Sequence, residues 1–370
     1  MRLGRVRGIT IDIHMSWIVI FALVTYSLGA GYFRVTFPEW GGGVLWSVSL
    51  LSAVLFFACV VLHELGHSLT AQKHGISVHG ITLFLFGGVA RMDREPETPQ
   101  VEMRVALAGP LVSVLLALGF GALGWAFGGL GGKHPVAMVS LYLALVNGMV
   151  VIFNMVPGFP LDGGRALRAA LWWYTGSVAR ATRLAAASGK GFGAFLIASG
   201  ILLAFAGNLF NGTWFVLVGW FLADAAGTAY AQTLSQHALS GTPLSEVVPW
   251  PDEGVTGETS IQTLVDTRLG YNSPDPVPVV ENGRVQGLVG IPEVKRIAQT
   301  EWTSTTAREA MVPVAALGTV SSDRDAWETL VRMSDQNLEW LAVVDDGEFR
   351  GVISPRRLLE YARRRRLAAT

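Results

Sequence analysis

The sequence predicts two parts built for different solvents: a polytopic α-helical membrane protein of six spans, with a small membrane-associated β-hairpin, followed by a soluble α+β module. Three observations carry this expectation. Runs free of Asp, Glu, Lys and Arg cover residues 46–62, 105–132 and 191–223. From about residue 240 charges are frequent, so the mean hydropathy of +0.42 averages two unlike halves. Two stretches of the second half, residues 277–289 and 341–353, share one pattern of strand, turn and strand, an internal repeat.

Taken in order, residues 1–12 carry Arg2, Arg5 and Arg7 before the first acid, Asp12, and read as a basic tail that signals topology. The first span covers about 15–33, with His14 at its entrance as a membrane-interface histidine. No small-residue cleavage site follows it, so it reads as a retained span. A short loop with Trp40 leads to the second span, about 45–71, ending at Lys73 and at His74, near the last helix carbonyls. Residues 76–93 are too short for a helical span. Their β-prone stretch 82–86 and the Gly87-Gly88 turn predict a hairpin.

The third span begins after Arg104 and is rich in small residues, which permit close helix contact in lipid. The fourth covers about 136–155, and a basic, partly amphipathic segment then runs from Arg165 to Lys190. The uncharged run 191–223 is too long for one span, and residues 207–212 split it into the fifth and sixth. Asp224 in the sixth reads as an acid approaching the far surface. The membrane half thus covers 1–232, a linker 233–242, and the two repeat units 243–299 and 305–364.

The formal net charge is zero, which removes any global case for nucleic-acid binding. Cys59 is the only cysteine, so no intrachain disulfide exists, and it reads as a packed small apolar residue.

Chemistry enters with His63, Glu64 and His67, an H-E-x-x-H in the last third of the second span. Positions i and i+4 share one helix face, so both imidazoles can reach one zinc ion, with Glu64 as general base. An ionisable residue in the middle of a span costs roughly 2.5–3.5 kcal/mol, so three clustered polar side chains there need partners or a job. Catalytic zinc sites use three protein ligands and one open position. Asp162 is the candidate third ligand, its other role being N-cap of the helix beginning near Arg165. Pro157 and Pro160 break the fourth span before it, and Gly163 and Gly164 allow close backbone approach.

Asn154, Pro157, Pro160, Leu161, Asp162 and Gly163 form N-x-x-P-x-x-P-L-D-G. With H-E-x-x-H far upstream, the membrane half resembles the site-2 protease family of intramembrane metalloproteases. The resemblance implies hydrolysis of a peptide bond in or near a transmembrane segment of a membrane protein, such as a membrane-held transcription regulator or an anti-sigma factor. It implies that Asn154 positions the substrate or stabilises the oxyanion. It also implies that the hairpin of residues 76–93 lies beside the site, its edge free to pair with an unwound substrate.

Each repeat unit opens with a helical start, at residues 261–265 and 325–331, and closes with a basic helix. The pair resembles tandem CBS domains, which often bind adenine nucleotides and support dimerisation or regulation. A rival reading is a CBS-regulated membrane channel or transporter, since broken spans and intramembrane carboxylates also mark transport sites. The terminal arginines, Arg363 to Arg366, read as a solvated helix end, with anionic lipid headgroups as the alternative partner.

Two predictions follow from residue pattern alone. With the N-terminus cytoplasmic, the inner segments hold Arg2, Arg5, Arg7, Lys73, Arg91, Arg94, Arg104, Arg165, Arg168, Arg180, Arg183 and Lys190, and the outer loops only Arg34 and Lys133. The asymmetry expects both termini in the cytoplasm, and the lack of targeting features suits a bacterial inner membrane. A reporter fused after Gln232 should be cytoplasmic and one inserted near Gly131 external; an external C-terminal reporter overturns the span count. Nucleotide-binding CBS repeats carry Gly-h-h-Ser/Thr-x-x-Asp (h, apolar) after the second strand. Here the corresponding stretches begin at Gly287 and Gly351; the first has Gly290 for the hydroxyl and Glu293 for Asp, and the second keeps Ser354 but has Arg357. Arg357 has donors only and cannot accept from a ribose hydroxyl. Calorimetry with ATP and AMP should find weak binding or none, and sub-micromolar affinity overturns that expectation.

Overall fold

The computed structural model describes residues 2–84, 87–128, 134–248, 254–269, 276–281, 284–346 and 348–368. Leu85 and Phe86 of the hairpin, Lys133 and the Asn282-Gly283 turn lie outside these residues. The chain divides into two compact units, Met1–Tyr230 and Ala231–Thr370.

Six helices of the described chain are long and apolar enough to cross a membrane. The first, Met15–Thr36, consists of α1 (Met15–Tyr26), a wide turn at Ser27–Tyr32 and α2 (Phe33–Thr36). The others are α3 (Gly42–Lys73), α4 (Pro99–Ala126), α5 (Pro135–Asn154), α7 (Val178–Phe205) and α8 (Leu209–Leu239). A shorter helix, α6 (Asp162–Thr175), follows the proline-broken loop. At 1.5 Å per residue α3 is about 48 Å long, more than the ~30 Å hydrocarbon core, so its charged end has room to leave the lipid.

Large apolar side chains such as Leu111, Leu115, Leu118 and Ile152 face outward, as lipid contact demands. Inward faces use small residues. A Cβ on Gly66 of α3 would lie 2.9 Å from the Ala108 carbonyl oxygen of α4, and one on Gly193 of α7 would lie 2.6 Å from that of Gly219 in α8. Lipid removes the hydrophobic drive between helices, so close packing must supply it.

The hairpin is half of a larger sheet. Strands β1 (Arg2–Val6), β2 (Ile9–Ile13), β3 (Val78–Phe84) and β4 (Gly87–Met92) run in the order β1-β2-β3-β4. β2 pairs with β3 in parallel, Thr10 opposite Gly80 and Ile13 opposite Leu83. The N-terminal stretch is therefore strand, where a basic tail was expected. The reason is its period-two pattern: Ile9 and Ile11 are buried, and Ile9 packs in a core with Leu65, Ala71, Ile81 and Val105. On the other face Asp12 meets Arg91 at 3.1 Å. Among the described residues β1 and β4 are the two edge strands of this sheet.

The second unit repeats one motif twice. β5 (Val255–Thr256), α9 (Ile261–Leu264), β6 (Val277–Glu281), β7 (Arg284–Val289) and α10 (Ile291–Lys295) form the first copy. After α11 (Ala307–Ala310) and β8 (Val312–Pro313), the second copy comprises β9 (Thr319–Val320), α12 (Ala326–Asp335), β10 (Leu341–Asp345), β11 (Glu348–Ile353) and α13 (Pro355–Ala368). In both, the first strand is parallel to the second and the next antiparallel, with a register shift at Val279/Val280 and at Val343/Val344.

Each copy is completed by chain from outside it. Leu239, Leu244 and Val247 pack into the core around Leu341 and Ile353. Their apolar side chains are more favourably buried there than exposed. In return Ala307 packs in the first core, and β8 extends the first sheet beside β7. The motif side chains that could meet a nucleotide are locally engaged: Ser354 Oγ accepts from the Arg357 amide (3.2 Å), and Glu293 Oε2 from the Gly290 amide (3.1 Å).

Candidate metal centre

His63 and His67 project from α3 and are 5% and 3% exposed. Asp162, the first residue of α6, comes to the same point. His63 Nε2, His67 Nε2 and Asp162 Oδ2 form a triangle with all three sides 3.2 Å. A tetrahedral zinc with bonds of about 2.0–2.1 Å needs donor atoms about 3.3–3.4 Å apart, so the triangle fits one face of that tetrahedron and leaves a fourth vertex open. Among the described residues this is the one cluster of three His, Cys, Asp or Glu side chains able to hold a metal ion. Asp162 is not the N-cap; Leu161 holds that position, without a side-chain cap.

The protonation pattern supports the same fit. His67 Nδ1 lies 2.7 Å from the Val105 carbonyl oxygen. A carbonyl only accepts, so Nδ1 is the donor, and in the neutral ring Nε2 then carries the lone pair that a metal would take. His63 Nδ1 lies 2.9 Å from Ser113 Oγ, which can accept in the same way. Two imidazole lone pairs and a carboxylate oxygen then converge where a cation would balance them.

Both orienting groups belong to α4. Val105, Gly109 and Ser113 are four residues apart and share one helix face. A Cβ on Gly109 would stand 2.1 Å from His67 Nε2 and 2.7 Å from His63 Nε2, so only glycine leaves the donors their space. Sequence reasoning noted the small residues of this span as packing and missed that they face the histidines. The i, i+4, i+8 spacing was a visible signal; its direction was not.

Glu64 lies outside the triangle, beside the sheet. A Cβ on Gly88 of β4 would come within 2.6 Å of Glu64 Cγ, so one face of this edge strand packs directly against the carboxylate-bearing side chain. The loop before Asp162 is tightly held. A Cβ on Gly164 would lie 2.2 Å from the Gly158 carbonyl carbon, and Ser188 of α7 donates to the Pro157 carbonyl. Asn154 ends α5, is half-buried, and makes no side-chain hydrogen bond to a described residue. Cys59 is buried and outside the cluster. His14 caps α1 through the Ser16 amide, and His74 Nδ1 bonds the Thr70 carbonyl oxygen at the end of α3.

Comparison with known proteins identifies the family. The zinc metalloprotease MJ0392 of Methanocaldococcus jannaschii is 31% identical over 360 residues, covering 96% of this chain and 93% of the relative. The chain belongs to peptidase family M50. The family model matches residues 51–131 and 130–199, which include all three donors and Glu64, and the CBS domain model matches residues 307–364. Rip3 of Mycobacterium tuberculosis is 31% identical over 355 residues, covering 95% of this chain and 90% of that protein. A solved site-2 protease from Methanocaldococcus jannaschii is 30% identical, with a TM-score of 0.43 over 62% of this chain and 94% of its own. The chain is thus a multi-pass membrane member of an M50 metalloprotease family with a CBS domain.

The α4 face makes a measurable prediction. Ser113→Ala should weaken zinc binding by about 10–100-fold, the usual cost of losing an orienting partner. Gly109→Ala, which puts a methyl among the donors, should abolish stoichiometric zinc. Chelator competition on the purified protein measures both.

Proposed function

We propose that this protein is an intramembrane zinc metalloprotease that cuts a peptide bond in or near a transmembrane segment of a membrane-protein substrate. The observation that carries the reading is the 3.2 Å triangle of two imidazole nitrogens and one carboxylate oxygen, with Glu64 alongside, built on a helix long and apolar enough to cross a membrane. His63, His67 and Asp162 would hold the metal. A bound zinc supplies a Lewis acid that polarises the scissile carbonyl and acidifies water. Glu64 takes the proton from the attacking water and returns it to the leaving amine as the C–N bond breaks. Asn154, at the end of α5, is assigned to substrate positioning or the oxyanion.

A helical substrate must unwind before its carbonyls can be attacked. The free edge of β4 offers main-chain hydrogen bonds to an extended segment, and Gly88 lets that edge run close to Glu64. The substrate class is then a membrane protein with an unwindable span, such as a membrane-held transcription regulator or anti-sigma factor. The basic-residue asymmetry supports cytoplasmic termini, and the location assigned with them is a bacterial inner membrane. The CBS pair is assigned to dimerisation or regulation rather than to tight nucleotide binding.

The purified protein should contain about one zinc per chain. His67→Ala should lose zinc and proteolysis together. Glu64→Gln should keep most of its zinc and lose proteolysis, and uncut membrane proteins should accumulate in a host expressing it. Undiminished proteolysis by Glu64→Gln overturns the mechanism.

A further inference from the structure

We propose that Arg168 is a positioning residue whose guanidinium, gripping Glu102 and Glu95, sets the Asp162 helix, the histidine-orienting helix and the free strand edge in one register. The inference rests on the reading of Asp162 as a metal ligand.

Arg168 is six residues past Asp162 on α6 and 4% exposed, and Glu102, in the first turn of α4, is 0% exposed. Arg168 Nε and Nη2 both donate to Glu102 Oε1. Nη1 reaches Glu95 Oε2 at 3.0 Å, and the guanidinium lies 5.2 Å over the ring of Phe159, in the loop that delivers Asp162. One side chain therefore touches α4, the loop into α6, and the segment leaving β4.

Each contact bears on a different part of the site. Glu102 is one turn before Val105, whose carbonyl orients His67. Asp162 has little freedom of its own. A Cβ on Gly163 would lie 2.5 Å from the Met155 carbonyl oxygen, so the start of α6 is seated on its own loop. Where Asp162 stands relative to the histidines is then set by where α6 stands relative to α4. Glu95 follows closely on Asp93, whose amide closes the β3–β4 pair by bonding the Ser77 carbonyl. It ties to the same guanidinium the strand that passes Glu64.

The cluster is a poor choice for stability alone. It places two carboxylates on one cation, and Glu102 Oε2 has no hydrogen-bond partner among the described residues. A well-packed apolar pair is often as stable as a buried ion pair, and the best-attested use of such pairs is registry. Arg168 forks across two carboxylates on separate elements, which a lysine cannot copy.

The test uses the full chain in detergent micelles, with a membrane-protein substrate in the activity assay. Arg168→Met with Glu102→Leu removes the buried charge pair together, and Glu95, whose side chain is 37% exposed, keeps its access to solvent. Its zinc dissociation constant should rise about 10–100-fold, while Gly200→Ala, which loosens the remote α7–α8 contact, lowers the melting temperature without changing zinc affinity. Glu95→Gln should keep wild-type zinc affinity and raise KM with little change in kcat. Wild-type zinc affinity in the double variant overturns the proposal. So does a loss of zinc affinity in Gly200→Ala as large as in the double variant. Where the double variant does not yield monodisperse protein, Arg168→Lys, which keeps the charge, should weaken zinc binding at an unchanged melting temperature, and wild-type affinity in it is equally decisive. Asp162→Ala with undiminished zinc would instead overturn the ligand reading, so the two failures are distinguishable.

Discussion

Polar side chains inside an apolar helix bundle must be satisfied there, because lipid offers no water to do it. The membrane unit follows from that constraint. His63 and His67 each spend one ring nitrogen on α4, through Ser113 and the Val105 carbonyl. The remaining nitrogens turn toward Asp162. A three-part contact of this kind cannot be made by one helix, since the helix's own backbone bonds are spoken for. It requires a second helix that approaches closely and a third that begins, rather than passes, at the right depth.

Glycine makes both approaches possible. Gly109 opens α4 where the histidine nitrogens lie, and Gly163 and Gly164 let α6 start against its own preceding loop. These are contacts with a ring or with backbone, so a side chain could not simply move aside. The same logic operates at Gly88, where the strand edge meets Glu64. The site is thus defined by absent side chains as much as by present ones, and small residues that look like ordinary membrane packing carry geometric duties.

The second unit is organised by a different rule. Its strands and amphipathic helices are stabilised by burial of their apolar faces, and each copy borrows a segment from outside itself to complete its core. The motif residues that would face a nucleotide in related modules, Glu293 and Ser354, cap local backbone instead.

The amino-acid sequence alone determined the six apolar helices, the H-E-x-x-H face on α3, the proline-broken loop that presents Asp162, and the repeated strand pattern. These are local properties: hydropathy over some twenty residues, helical spacing, backbone restriction by proline, and self-similarity. Tertiary structure alone decided the rest. Residues 9–13 became a strand because β3, some seventy residues later, lies beside them, and residues 2–6 then paired back onto that strand. Val105, Gly109 and Ser113 became the orienting face because α4 turns that side toward α3. Arg168 met Glu102 and Glu95 only when α6 settled against α4. Each of these depends on a long-range pairing, and a residue's own neighbours in sequence carry no record of which distant surface it will face.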